Sequence, residues 1–190
     1  MFLRDARPDC DALPSEQLLL LAQAAPSLVR GWKGLRLAAM LAVLRETGLR
    51  NNEVLTLSQS SITFGPPAML HVGCPPTSRF FHLSDFCAER LCMWLAAHPC
   101  KTRTELLFVA NEYGGTLDTS TVWRQINRLS TKVLGIEIRG MGVGRIRASV
   151  AKQLQDEGAS AVEIQYFLGH KQETSTAELL DRIHVGGFDA

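Results

Sequence analysis

The chain is short of tyrosine, of net charge and of long apolar runs, and each shortage narrows what it can be. Its two tyrosines are Tyr113 and Tyr166, and no phenol follows Tyr166. A formal net charge of +1 over 190 residues does not by itself mark a nucleic-acid binder. The longest apolar stretch near the start, Leu18–Ala25, is broken by Gln23. It is too short to span a bilayer and has no basic leader, so no signal peptide or membrane segment is expected and the location reads as cytoplasmic. The five cysteines (Cys10, Cys74, Cys87, Cys92, Cys100) are odd in number. Their spacings do not match zinc-ligand patterns, which leaves thiols in a reducing compartment, with no metal or cofactor expected. Internal repeats and low-complexity segments are also missing.

What the chain does have is ordinary globular composition, 46% hydrophobic and 21% charged, in a length suited to one domain. Its charge is unevenly spread. Residues 101–152 hold nine basic side chains against four acidic ones, whereas residues 153–190 hold two against seven. Such asymmetry suits a basic face for a polyanion and an acidic tail; a solvated charged surface is the plainer reading.

Apolar spacing and capping residues predict a mainly α fold with a small antiparallel β-sheet. Ser15 or a neighbour is read as capping a first helix, and glycine punctuation at Gly31 and Gly34 as leading into a second, Leu35–Glu46, that ends at Gly48. A third starts at Asn51 and runs to Leu57. The texture then changes. Short strands are expected at 62–64, 69–72 and 79–83, separated by glycine–proline turns. Further helices are expected from Ser84-Asp85 to about Ala97, after Asp118-Thr119, over Arg145–Glu157, over Ala161–Leu168 and over Thr174–Arg182.

Five blocks carry a resemblance. Thr47-Gly48-Leu49-Arg50-Asn51-Asn52-Glu53 sets an arginine just past a glycine turn, with a carboxylate three residues on. A guanidinium there can bind two phosphate oxygens at once, and Glu53 can hold it; a surface Arg–Glu pair is the plain alternative. Arg79-Phe80-Phe81-His82-Leu83-Ser84, Leu106-Leu107-Phe108-Val109 with Gly114-Gly115, Gly144-Arg145-Ile146-Arg147 and Leu168-Gly169-His170 follow in order. Together these resemble the catalytic domain of the tyrosine recombinases, or phage-integrase family.

The resemblance implies that Arg50, Arg147 and His170 converge on one DNA phosphate, with Arg145 beside them and Glu53 in support, and stabilise charge that builds up on it. It also marks departures. The family's nucleophilic tyrosine falls near Leu179, or on Arg182 when the alignment is slid to match the end through Ile183-His184-Val185; the histidine of its second box falls on Gly144, and its hairpin lysine falls near Cys74. Arg145, His71, His82 and Arg79 are possible substitutes that sit off the matching positions. Loss of an acid or base leaves partial activity, whereas loss of the nucleophile removes the covalent route. Residues 1–13 are read as an amino-terminal extension and 14–190 as the integrase-like domain, without the core-binding domain that family members use to clamp DNA.

The expected function is DNA binding without autonomous recombinase activity, in an accessory or regulatory role in recombination, transfer or maintenance of a mobile element. The expected partners are duplex DNA, through its phosphate backbone, and another recombinase of the same complex. Two alternatives are a nicking or strand-transfer enzyme with an atypical or partner-supplied tyrosine, and a module that docks on another recombinase.

Overall fold

The computed structural model describes residues 12–183, apart from 75, 76, 136, 137 and 139. Helix α1 (Ser15–Leu28) pairs along its length with α2 (Trp32–Thr47), and α3 (Asn51–Leu55) follows the turn at Gly48. A 3-10 turn at Gln59–Ser61 leads into β1 (Ile62–Thr63), β2 (Ala68–Val72) and β3 (Arg79–Leu83). The remaining helices are α4 (Asp85–Ala96), α5 (Thr119–Leu134), α6 (Val143–Asp156), α7 (Ala161–Leu168) and α8 (Glu173–Asp181). No helix among the described residues is long and apolar enough to cross a membrane.

The mainly helical reading with one small sheet holds, and most boundaries fall within a few residues of expectation. Of Ser15 and its neighbours, Pro14 takes the cap position and Ser15 is the first helical residue. Helix α2 starts at Trp32 rather than Leu35, α3 stops at Leu55 rather than Leu57, and β1 leaves out Phe64. Ser84 and Asp118 do cap α4 and α5, their side chains accepting from the backbone N–H of Cys87 and Thr121. The 1–13 extension lies almost wholly outside the described residues, as does the His184-Val185 end.

Helix α2 is the axis of the fold. From Leu37 through Leu44 every residue is buried, so it packs on all sides, as a central helix must. Helices α1, α4 and α6 lie against it. Arg36 is fully buried there and donates to Val109 O and to Gln125 Oε1, the latter at 3.0 Å, while its Nε has no hydrogen-bond partner among the described residues and its guanidinium lies 5.3 Å from the Trp32 ring centre.

The sheet is antiparallel in the order β1-β2-β3, with Leu70 opposite Phe81 and Val72 opposite Arg79. Ala68, Leu70 and Val72 of β2 face inward, as do Arg79, Phe81 and Leu83 of β3. The same two-residue period that buries Phe81 and Leu83 therefore buries a cation at Arg79. The core is divided. A large cluster spans α1 to α6 and the sheet, and a small one joins Ala148, Ala151, Ile164, Leu168 and Ile183. Phe167 packs against both. The site lies where the two clusters meet.

Candidate phosphate-binding site

The first arginine is placed by a glycine. Gly48 ends α2 with φ +58, a left-handed conformation that side-chain-bearing residues rarely adopt, and a Cβ there would come within 2.8 Å of Leu168 Cδ2. The chain turns sharply, and Arg50 becomes the cap residue of α3. The Glu53 carboxylate accepts from the Arg50 backbone N–H at 2.8 Å, and its other oxygen faces the guanidiniums of Arg50, at 3.7 Å, and of Arg79, in a closer ion pair. Glu53 thus supports two arginines at once, not only the one in its own box.

Arg147 enters from the second turn of α6 and is 8% exposed. It donates to Gly48 O at 2.6 Å and to Leu168 O at 2.9 Å. Arg79 donates to Phe167 O at 2.8 Å, and Arg50 donates to Gly169 O at 2.8 Å. Three consecutive carbonyls at the end of α7 therefore each hold a different guanidinium. A helix C-terminus carries the negative end of the backbone dipole, so these contacts are favourable electrostatically as well as geometrically. Gly169 makes the close approach possible: its φ is +67, and a Cβ would lie 2.8 Å from Arg79 Cζ.

His170 follows directly and lines the same cleft, with Nδ1 2.7 Å from Thr176 Oγ1 on α8. Burial, then the charges of Arg147, Arg50 and Arg79, push its pKa down to about 4, so the ring is neutral at pH 7. Burial and the neighbouring Arg50 lower Arg147 to about 10, against the pull of Glu53, and it stays protonated at neutral pH. Arg79 is lowered by burial and by Arg50, again opposed by Glu53.

The cleft has a volume of about 870 Å³ and is open to solvent along the β2–β3 hairpin. Arg50, Arg79, His170 and Lys171 are on its wall, with Glu53 as the one carboxylate among its lining residues. The guanidiniums of Arg50 and Arg79 on the wall have more N–H donors than their contacts to the protein use, so an anion in the cleft meets spare donors; Arg147 is not among the lining residues.

Of the residues expected from sequence, Arg50, Arg147, His170 and Glu53 come together. Arg145 does not line the cleft; it is buried on α6 and its Nη2 lies 4.0 Å from where a Cβ on Gly140 would stand. Arg79 joins the cluster as well; the sequence offered it on a strand and as a possible substitute off the matching positions, not as one of the phosphate-holding residues. Its signal was there in the alternation that puts it on the core face with Phe81 and Leu83. The hairpin carries Cys74 and His71 on the cleft wall, with the His71 ring stacked on Phe80 at a centre distance of 4.6 Å. Gly144 is solvent-exposed at the start of α6 and a Cβ there would meet nothing within 4 Å. Leu179 packs against the small cluster. Tyr166, 76% exposed, stands on the cleft wall, whereas Tyr113 lies in a loop away from it.

The sequence pattern of the phage integrase family matches residues 12–179, which takes in every residue of this cluster. The chain belongs to the phage integrase family. Tyrosine recombinase XerD of Staphylococcus aureus is 28% identical over 177 residues, covering 91% of this chain and 58% of that protein. Tyrosine recombinase XerC of Staphylococcus saprophyticus is 25% identical over 146 residues, covering 76% of this chain and 48% of that one. The chain thus spans about half the length of the curated relatives it matches. Among solved structures, the XerA recombinase superposes with a TM-score of 0.74 at 26% identity, over 93% of this chain and 61% of that one. The XerH site-specific recombinase bound to its difH substrate superposes at 0.78 over 94% of this chain and 52% of that one; at 19% identity this likeness speaks for the fold alone. The fold is that of a tyrosine-recombinase catalytic domain.

Proposed function

We propose that this integrase-family chain binds duplex DNA by its phosphate backbone and does not exchange strands on its own. One phosphate sits among Arg50, Arg147 and His170, with Arg79 and Glu53 behind them and Arg145 further off against the turn at Gly140. The observation that carries this reading is that the guanidiniums of Arg50 and Arg79 and a neutral histidine line an open cleft with a single carboxylate, with Arg147 buried behind them and tied to Leu168 O. Such a site gains from a phosphodiester through charge-assisted, two-pronged hydrogen bonds. XerH, which shares the fold, was solved bound to its difH substrate, and lambda integrase was solved bound to a core site. The basic stripe of Arg124, Arg128 and Lys132, spaced every four residues on the exposed face of α5, offers further backbone contacts.

The reading of a binder rests on Leu179, Gly144 and Cys74, where the family resemblance puts its tyrosine, histidine and lysine. Its place is accessory or regulatory, in recombination, transfer or maintenance of a mobile element. A gel-shift titration across salt tests it, comparing wild type with Arg50→Ala and with Arg50→Ala/Arg147→Ala. Binding is expected to fall steeply with salt, to weaken at least tenfold in the single variant and to weaken further in the double. Equal binding by all three proteins would overturn the phosphate pocket.

One observation favours a second reading. Tyr166 is on the wall of the phosphate cleft, one helical turn before His170, so an atypical nucleophile is within the site's own surroundings. A nicked suicide duplex would trap a covalent adduct in wild type and not in Tyr166→Phe. The binder reading expects no adduct from either protein.

A further inference from the structure

Thr176 is completely buried in α8, and its Oγ1 meets His170 Nδ1 at 2.7 Å. Three other threonines in or at the end of helices donate their hydroxyl proton to a carbonyl one turn back, Thr47 to Val43 O, Thr56 to Asn52 O and Thr131 to Asn127 O, and Thr121 of α5 donates to Asp118 Oδ2. Among the described residues Thr176 has no such carbonyl, and Nδ1 of His170 is the partner of its hydroxyl. A buried hydroxyl proton left without an acceptor is costly. Were the ring to carry its proton on Nδ1 and donate it to Oγ1, the threonine proton would be in that position. When the hydroxyl donates to Nδ1 instead, both groups are satisfied and the ring proton sits on Nε2.

The choice of tautomer matters because the ring is neutral. Arg147, Arg50 and Arg79 lie near it from α6, the start of α3 and β3, and the one carboxylate among the cleft-lining residues, Glu53, is already engaged by two of them. A doubly protonated imidazole would donate from both nitrogens whatever its neighbours did. A neutral one donates from one edge only, and the edge turned away from buried Thr176 faces the cleft. An unprotonated Nε2 there would set its lone pair against that of a phosphate oxygen.

We propose that Thr176 is a positioning residue for His170, its hydroxyl fixing the neutral ring in the tautomer that presents Nε2–H to a bound phosphate. The inference rests on the phosphate reading for its last step and not for the tautomer itself. Ring nitrogen shifts of 15N-histidine-labelled protein at pH 7.5 without DNA test the tautomer, with His170 assigned by the signals lost in His170→Gln. Wild type and Thr176→Ser are expected to show the Nε2–H form, and Thr176→Val to move toward Nδ1–H. Duplex binding by gel shift is expected to weaken about tenfold in Thr176→Val, the loss of roughly one hydrogen bond, and to return in Thr176→Ser.

An Nδ1–H ring in wild type, or an unchanged ring in Thr176→Val, would overturn the proposal. A ring that changes while DNA affinity does not would overturn the donor role of Nε2. The phosphate reading fails separately, if Arg50→Ala/Arg147→Ala binds like wild type. The wild-type shifts decide the tautomer by themselves, so the test does not depend on Thr176→Val folding.

Discussion

On one side of the cleft, Arg79, Arg147 and Arg50 are tied to the carbonyls of Phe167, Leu168 and Gly169, and two of them share Glu53. On the other side, α8 rests on the small apolar cluster through Leu179 and Leu180, with Thr176 reaching back to His170. The first region is braced by charge-assisted hydrogen bonds between segments more than a hundred residues apart in places. The second is a short helix on a small core. The contrast teaches that one wall of the cleft is held by charged contacts between distant segments and the other by local apolar packing, so the two can be disturbed separately.

The contrast can be broken most forcefully at Arg147. Replacing it with alanine strands two carbonyls and opens a buried gap, and is expected to cost about 3 kcal/mol in urea unfolding as well as DNA affinity. Arg50→Ala, at a side chain 43% exposed, is expected to cost less than about 1 kcal/mol while still weakening binding. If the two variants lose equal stability, the cluster is not graded from a structural interior to a binding rim as described.

A smaller effect is expected from pH. His170 is held near 4 in the folded state and titrates near its ordinary value of about 6.5 when unfolded, so between those values the unfolded chain binds more protons. Stability contributed by the neutral ring is full above that window and is lost as pH falls through it. The midpoint of thermal unfolding is expected to drop between pH 6.5 and 4, and by less in His170→Gln; equal slopes in both proteins would remove His170 as the source.

The smallest effect is expected at Gly144. A side chain there meets open space, so Gly144→His is expected to change stability by no more than about 0.5 kcal/mol. The same substitution would return the imidazole of the family's second box, and a destabilised variant would show that the position is less open than its geometry says.

Arg50, Arg147 and His170 were legible in the sequence because each sits beside a short block with a glycine or a fixed spacing, and such blocks keep their order along the chain. Arg79 was harder to see, since an arginine on a strand faces the core only through its period with Phe81 and Leu83. The carbonyls of 167–169 and the hydroxyl of Thr176 could not be read at all, because backbone acceptors have no signature and their use depends on how α7 and α8 dock. Gly34 misled in the opposite direction. It reads as punctuation before a helix, yet it lies inside α2, where a Cβ would fall 2.4 Å from Val29 O and the two helices need the missing side chain to approach.

The lock at the end of α7 bears on what persistence of these arginines would mean. Each is a fastener of the fold before it is a ligand for anything, since it joins the large core to the small one. A descendant that never met DNA again would still unfasten α7 by dropping Arg147. Persistence of the cluster is therefore weak testimony to binding, and the informative position is Arg50, which the fold can spare more easily. A substitution there that kept the protein intact and abolished the proposed DNA binding would separate fastening from binding, which substitutions at the more deeply tied arginines would disturb together.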